Sequence, residues 1–506
     1  MKTNATTRRD FFKTMGLGAA AMALSNHVRA ASLTKQPSSK SRPNILFCIA
    51  DDWSWPYASL AGDKVVRTPT FDRVAREGVL FENAFVSAPS CTPSRGAILT
   101  GQWHWRLEEG GNLWSTLPAK FPVYPDLLEQ AGFHVGFTRK GWGPGQHQPG
   151  GRTRNPAGPN YKNFEEFLSV RPEGKPFCFW FGSNDPHRPY TWRSGVDSGM
   201  KPEDVKVPTH LPDCETTRID ICDYYWEIQR FDTEVGQLLK MLEDRGELDN
   251  TLVVMTGDNG LPFPRSKSNL YDAGTHVPLA ARWPLKVRAG RIVKDFISLC
   301  DIAPTFLDAA GLKPTKDMTA KSFLNILLSD KAGQVDPKRD NVLTGKERHA
   351  YVRQGGLGYP CRAIRTHDSL YIRNFEPDRW PAGDPDEAEY RDPPGTYGDT
   401  DASPTKTYMM DHRDEPQVRR LFELAFNKRP AEELYDQRKD PDQLNNVADK
   451  SEYAKIKRDL SKTLMARLKA TKDPHVIGGA EVFDKYPYYG GKIGQQRNAK
   501  TTGKQP

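Results

Sequence analysis

Beyond its first thirty residues the 506-residue chain has no apolar run long enough to cross a bilayer, so no membrane anchor is expected. It also lacks any block of lysines and arginines. The 72 basic and 64 acidic residues leave a net charge of +8, but they are scattered, which points to a mildly basic surface and away from nucleic acid. Cysteine is scarce and odd in number. Cys48, Cys91, Cys178, Cys214, Cys222, Cys300 and Cys361 fit no zinc or disulfide spacing, so most are expected to be reduced core residues. Cys214 and Cys222 alone are close enough to suggest a pair, and nothing demands one. No segment repeats. The length is too great for one small core and favours a large α/β domain with a smaller second piece.

The N-terminus reads as a targeting segment. Thr7-Arg8-Arg9-Asp10-Phe11-Phe12-Lys13 precedes an apolar stretch from Met15 to Leu24, and Val28-Arg29-Ala30 offers a small-residue cleavage site. This order predicts a twin-arginine signal peptide over residues 1–30, with the twin-arginine export machinery as a partner and a periplasmic or secreted destination. Residues 31–42 are polar and rich in Ser, Lys and Pro, as a linker would be.

From Pro43 onward, continuous apolar runs alternate with helical patterns. Pro43–Ala50, His134–Thr138, Pro176–Gly182 and Thr251–Thr256 read as strands buried on both faces. Helices are expected over Thr68–Gly78, with Thr70 as a cap, and over Pro125–Ala131, Ile219–Arg245 and Glu452–Ala470. Such alternation predicts a mostly parallel sheet covered on both faces, with ligands bound beyond the carboxyl ends of the strands. Asp51-Asp52, Lys140, His187 and Asp258-Asn259 each fall just past a predicted strand, which gathers them into one candidate site. Past residue 345 the texture changes. Arg362–Arg365 and Ser369–Arg373 suggest an antiparallel hairpin, residues 376–417 look loop-rich, and the tail from Gly490 looks disordered.

Asp51-Asp52 and Asp258-Asn259 offer only oxygen ligands, the choice of calcium or magnesium over zinc. Either pair alone would read as a cap or a solvated turn; together, in the same positional context, they favour a metal site. Cys91-Thr92-Pro93-Ser94-Arg95 sets a thiol four residues from a guanidinium at a loop-to-helix junction. If the helix starts near Thr92, residues 91 and 95 share a face, Pro93 suits its first turn, and Ser90 or Thr92 can cap it. A helix N-terminus favours an anion.

Cys91-x-Pro93-x-Arg95, followed by Gly96-Ala97-Ile98-Leu99-Thr100-Gly101, resembles the signature of the type I sulfatases, in which the cysteine is oxidised by a maturation enzyme to formylglycine. Ile49-Ala50-Asp51-Asp52 and Thr256-Gly257-Asp258-Asn259-Gly260 are similar to that family's two metal-binding segments. The resemblance implies an alkaline-phosphatase-like fold, a large mixed, mostly parallel sheet sandwiched by helices with a smaller C-terminal α+β subdomain. It further implies a catalytic α/β domain over 43–345, the subdomain over 346–475 and a loop-rich tail over 476–506.

As the resemblance has it, Asp51, Asp52, Asp258, Asn259 and the formylglycine made from Cys91 bind one divalent cation, most often calcium. Arg95, Lys140, His187 and Lys267 match positions that contact the formylglycine or the sulfate. The hydrated formylglycine would attack sulfur through one hydroxyl and expel sulfate by collapse of the other, through a sulfo-enzyme intermediate. Arg95, Lys140 and Lys267 would spread the developing charge, and His187 would protonate the leaving atom. One departure stands out: the family's Lys-x-His becomes Lys140-Gly141-Trp142, which removes a histidine expected at the formylglycine hydroxyl, with His147 nearby in sequence as a substitute.

Asp258–Pro264, Asn269-Leu270-Tyr271, Asp185–Arg188, Glu433–Asp436 and Asp440-Pro441 look closest to N-sulfoglucosamine sulfohydrolases. The substrate expected is therefore a sulfated sugar or polysaccharide fragment, carrying either a sulfate ester or an N-sulfate. Two rivals stay open: a phosphonate or phosphodiester hydrolase of the same superfamily, and an inactive fold that only binds sulfated glycans.

Overall fold

The computed structural model describes residues 42–386 and 388–493. The expected signal peptide, residues 31–41 of the linker and the tail beyond 493 lie outside them.

Among the described residues eleven strands form two sheets. The larger is built from β1 (Asn44–Ala50), β2 (Val79–Phe85), β3 (His134–Arg139), β4 (Phe177–Gly182), β5 (Thr251–Gly257), β6 (Leu279–Arg282) and β7 (Arg291–Ser298), in the order β3-β4-β1-β5-β6-β2-β7. β6 alone runs against its neighbours; the other six point the same way. β1 and β5 sit at the centre, and every residue of both is buried. Their unbroken apolar character follows from that position, since each of their faces is covered by helices and loops and no side chain meets water. On one face of β1, Phe47 packs edge-on to Trp180 of β4 at 4.9 Å between centroids. On the other, Leu46 and Cys48 meet the apolar stripe of the long helix Glu215–Asp244, including Ile221, Tyr225, Ile228 and Phe231.

The smaller sheet is antiparallel, ordered β11-β10-β9-β8, with β8 at Asn341–Lys346, β9 at Cys361–Thr366, β10 at Ser369–Asn374 and β11 at Glu432–Asp436. The expected hairpin is β9–β10, and the helix Ala454–Ala470 packs against this sheet through Leu464 and Leu468. The expected subdomain start at residue 346 falls on the last residue of β8.

Several local expectations are corrected. Thr70 is not the cap of its helix, which spans Pro69–Arg76 with Thr68 at the cap position; the Thr70 amide instead donates to Asp232 Oδ2 of the long helix. The 376–417 stretch is less loop-like than its charge suggests, since Pro404–Asp411 and Pro416–Phe426 are helices. Residues 476–493 include a helical turn at Val482–Lys485 and a buried Tyr488. All seven cysteines are free, Cys214 and Cys222 included. Among the described residues no helix is long and apolar enough to cross a membrane.

The smaller sheet is tied down by a buried charge network. Arg362 of β9, fully shielded from solvent, donates to Glu347 and, from Nε at 2.6 Å, to Asp473 just past the terminal helix; Glu347 also faces His475 Nε2 at 3.1 Å. Burial alone would raise the Glu347 carboxyl, but the Arg362 and His475 charges hold it at about 2. The folded value lies below the unfolded one, so this contribution is complete above about pH 4.3. It drains away as pH falls toward about 2. Arg362→Ala strands two buried carboxylates and is expected to cost about 3–5 kcal/mol at neutral pH, read from urea unfolding. The deficit relative to wild type should shrink on acidification through that window; a pH-independent deficit would contradict the assignment.

Candidate active site

Sheet register brings the candidate residues together. Ala50 of β1 pairs with Gly257 of β5, so Asp51 and Asp258 leave adjacent parallel strands side by side. Arg139 of β3 pairs with Gly182 of β4, so Lys140 leaves two strands away on the same edge. Glycine is required at 182, because a Cβ there would lie 1.8 Å from the Lys140 carbonyl oxygen. Asp52 adopts a left-handed backbone (φ 71°), a conformation Asp tolerates better than most residues, and its amide donates to Asp258 Oδ1 at 3.0 Å.

The helix Cys91–Thr100 points its first turn at this edge. It begins at Cys91, one residue before the expected start, and Ser90 at the cap position does not cap it. The Ser90 hydroxyl is instead 2.8 Å from His349 Nδ1. Cys91 Sγ lies 3.4 Å from Asp51 Oδ1, and Asn259 Nδ2 lies 3.6 Å from the same sulfur. Arg95, one helical turn on, is fully buried. Its Nε donates to Asp258 Oδ2 at 2.7 Å, its Nη1 donates to the Lys140 and Gly141 carbonyls, and its Nη2 is 3.5 Å from Asp51 Oδ1.

Lys140 Nζ pairs with Asp51, and Lys267 Nζ donates to Asp52 Oδ1 at 2.5 Å. His187 follows β4; its Nδ1 is 2.5 Å from the Arg188 carbonyl oxygen, which can only accept, so Nδ1 carries the proton. Nε2 then faces the cluster, 3.9 Å from Asp52 Oδ2. The structure thus brings Asp51, Asp52, Cys91, Arg95, Lys140, His187, Asp258, Asn259 and Lys267 into one mostly buried cluster.

The electrostatics follow from burial and proximity. Burial, reinforced by the Asp51 charge, pushes the Cys91 thiol well above its ordinary value, so the unmodified sulfur is a poor nucleophile. Burial also raises Asp258, to about 6, with Arg95 opposing and Asp51 adding to the rise. Asp51 is driven the other way: burial would raise it, but Lys140, His187, Arg95 and Lys267 together bring it far below the carboxylate range.

Residues 43–312, more than half of the chain, match the family model described as Sulfatase. The chain belongs to the sulfatase family. An ulvan-active sulfatase of Formosa agariphila is 28% identical over 489 residues, covering 88% of this chain and 78% of its own. The N-sulphoglucosamine sulphohydrolase of Homo sapiens is 27% identical over 498 residues, covering 88% and 94%. Among solved structures, one in complex with its substrate D-glucosamine-2-N,6-O-disulfate aligns at TM-score 0.63 and 20% identity over 86% of this chain and 99% of that one. The phosphonate monoester hydrolase of Agrobacterium radiobacter aligns at 0.62 and 18%, over 86% and 97%. At such identities these two likenesses speak to the fold alone.

The donor set of this sulfatase suits a hard divalent cation. Ligating atoms of Asp51, Asp52, Cys91 and Asp258 lie within 4.8 Å of one another, and Asn259 Oδ1 is buried beside them with no hydrogen-bond partner. Three carboxylates and an amide oxygen are the ligands calcium or magnesium prefers. The three carboxylates are matched by Arg95, Lys140 and Lys267, so a bound dication would leave the cluster net positive, the sign that attracts a sulfate ester.

Trp142 does not reach into this cluster. It is 4% exposed and packed in the core against the helix Cys91–Thr100, where a Cβ on Gly96 would lie 3.6 Å from its Nε1. His147 begins a 3-10 turn, and among the described residues no hydrogen bond or ion pair joins it to the cluster. Two residues not anticipated from the sequence stand at the site instead, His349 against Ser90 and Asp401 with Oδ2 3.6 Å from Lys267 Nζ. The strand-end rule would have nominated His349, three residues past β8, had β8 been recognised.

Calcium is expected to raise the melting temperature of this sulfatase in proportion to the logarithm of its concentration above Kd. Asn259→Ala, which deletes the unpartnered amide oxygen, should weaken binding measured by calorimetry at least about tenfold. Equal affinity in the variant would remove Asn259 from the ligand set.

Proposed function

We propose that this chain is a formylglycine-dependent sulfatase that removes sulfate, as an ester or an N-sulfate, from a sulfated sugar or polysaccharide fragment after twin-arginine export to the periplasm or beyond. The observation that carries this reading is the placement of Cys91, at the first turn of a helix and within 3.4 Å of Asp51, in a buried cluster where Arg95, Lys140 and Lys267 converge. The two curated relatives named above act, by their names, on sulfated substrates.

Oxidised to formylglycine and hydrated, residue 91 would supply two hydroxyls on one carbon, one to attack sulfur and one to release sulfate. A divalent cation held by Asp51, Asp52, Asp258, Asn259 and residue 91 would supply Lewis acidity toward sulfate oxygens. The chain's own groups do the rest. Lys140 and Lys267 present permanent charges to the sulfate, preorganised by Asp51 and Asp52, so little reorganisation is needed as charge develops. Arg95 locks Asp258 against the helix and keeps the Lys140 carbonyl fixed. His187 keeps its Nδ1 proton on the Arg188 carbonyl, so Nε2 is the atom that, once it carries a second proton in the imidazolium form, would hand that proton to the departing oxygen or nitrogen. A bare thiol lacks the second hydroxyl and, buried as it is, the ionisation to attack.

Inorganic sulfate release should be measured over N-sulfated glucosamine, O-sulfated glycosaminoglycan fragments and algal galactan or ulvan oligosaccharides. At least one class is expected to be cleaved, Cys91→Ala to abolish release, and Lys267→Ala to lower kcat about 10²–10³-fold. Faster cleavage of an aryl phosphodiester than of an aryl sulfate would favour the phosphoryl rival, and an intact thiol on residue 91 by mass spectrometry the binding-only one. For export, replacing Arg8 and Arg9 by Lys should strand the precursor in the cytoplasm on fractionation; unchanged export would overturn the twin-arginine reading.

A further inference from the structure

Asp401 stands at the site with a carboxylate oxygen that no hydrogen-bond donor fills. It lies between β10 and the helix Pro404–Asp411, in a stretch where the sequence shows no motif. Its side chain is 25% exposed, one oxygen (Oδ2) is buried, and among the described residues its carboxylate accepts no hydrogen bond. The nearest cation, Lys267 Nζ at 3.6 Å, is already engaged by Asp52. Asp52, His187 and Asp401 each place one ligating atom within 4.8 Å of the others. Burial would favour the neutral acid, but Lys267, His187, His349 and Arg188 keep this carboxyl at about 2.

The segment that carries Asp401 is rigid on both sides. Two residues earlier, Asp399 accepts from Lys346 Nζ at 3.0 Å, Arg353 Nη2 at 2.7 Å and the Ala350 amide at 3.0 Å. Two residues later, Ser403 caps the following helix. Thr405 Oγ1 then donates to Asp220 Oδ2 at 2.6 Å, the same carboxylate that Arg188, next to His187, grips through both guanidinium nitrogens. The fold therefore holds an unsatisfied acceptor at fixed distance from the group assigned to the leaving atom. Although Lys267 lies 3.6 Å away, the buried Oδ2 lacks a hydrogen bond, and a rigid mount prevents the carboxylate from relaxing toward another donor.

We propose that Asp401 is a specificity-determining residue that reads the sugar carbon next to the sulfated one. Its carboxylate accepts a hydrogen bond from a hydroxyl or amino group on that carbon while His187 faces the leaving atom. The spacing below 4.8 Å suits two substituents on adjacent carbons, each within hydrogen-bond reach of its own side chain. A second sulfate or a carboxylate at the neighbouring position would meet a like charge and be rejected. This rests on the sulfatase reading and deepens it, because it names the substitution pattern the pocket accepts.

The test is a cycle between substrate and protein. The best-hydrolysed sugar sulfate of the panel is compared with its two analogues deoxygenated at either carbon flanking the sulfated one, using wild type and the near-isosteric Asp401→Asn. Wild type is expected to lose about 10- to 100-fold in kcat/KM on one of the two analogues, the range for a hydrogen bond to a charged acceptor. In the variant the ratio between parent and that analogue should fall to within about threefold, whatever its absolute rates. A general loss of structure would lower all rates and leave the ratio intact. Equal wild-type rates on parent and both analogues would overturn the proposal without needing any variant. So would a variant that keeps the wild-type ratio, or one that binds calcium more weakly, which would make Asp401 part of the metal site. Absence of sulfate release by wild type from every panel member would instead sink the sulfatase reading and the proposal with it.

Discussion

The site depends on one buried guanidinium. Arg95 has no exposed surface, yet it touches three segments at once: the carboxylate that ends β5, the carbonyls that follow β3 and, at longer range, the carboxylate that ends β1. Its plane also lies over the Trp180 ring of β4, with Cζ 6.0 Å from the centroid. Four neighbouring strands of the central sheet thus converge on a single side chain that comes from the helix Cys91–Thr100. A charge in that position is tolerable because Nε and Nη1 donate to oxygens and Asp51 Oδ1 lies 3.5 Å from Nη2, and the oxygens are in place because parallel pairing ends the strands in register. Sheet geometry and site geometry are the same fact seen from two sides.

Around that centre the molecule balances charge locally. Three carboxylates and three permanent cations share a nearly dry volume, so neither set can be altered without unbalancing the other. This explains why Asp258 and Asp51, chemically alike and adjacent, are displaced in opposite directions. Asp51 is surrounded by Lys140, His187 and Arg95, whereas Asp258 leans on Arg95 and feels the negative charge of Asp51. Within the same cluster Asn259 Oδ1 and Arg95 Nη2 are buried without a hydrogen-bond partner.

Much of this was legible in the chain. β1 and β5 announce themselves because a strand covered on both faces must be apolar throughout, and residues just past them inherit a functional reading from position. Where burial is one-sided the signal fades: β7 alternates buried and exposed at Arg291–Lys294, and β6 is only four residues long. β2 interrupts its apolar run with Glu82 and Asn83, which sit at a register shift against β7. The C-terminal contributions were least readable. His349 and Asp401 reach the site across more than 250 residues of sequence from Cys91; His349 follows a strand that the sequence did not reveal, and Asp401 lies in no spacing that local rules interpret. Trp142 shows the reverse: its position in a motif suggested a polar role, and packing against Gly96 made it a core residue.

The burial of Cys91 also sets an order of events. A thiol that is 3% exposed, roofed by neighbouring strand ends and held against Asp51, is closed to any macromolecular catalyst once the sheet has formed. On the proposed formylglycine reading, the enzyme that converts this sulfur would have to act on a nascent or open chain, with folding as the deadline. The proposed twin-arginine route, which carries folded cargo, would fit that timetable, because the chain could be modified, closed and given a cation on one side of a membrane before acting on the other.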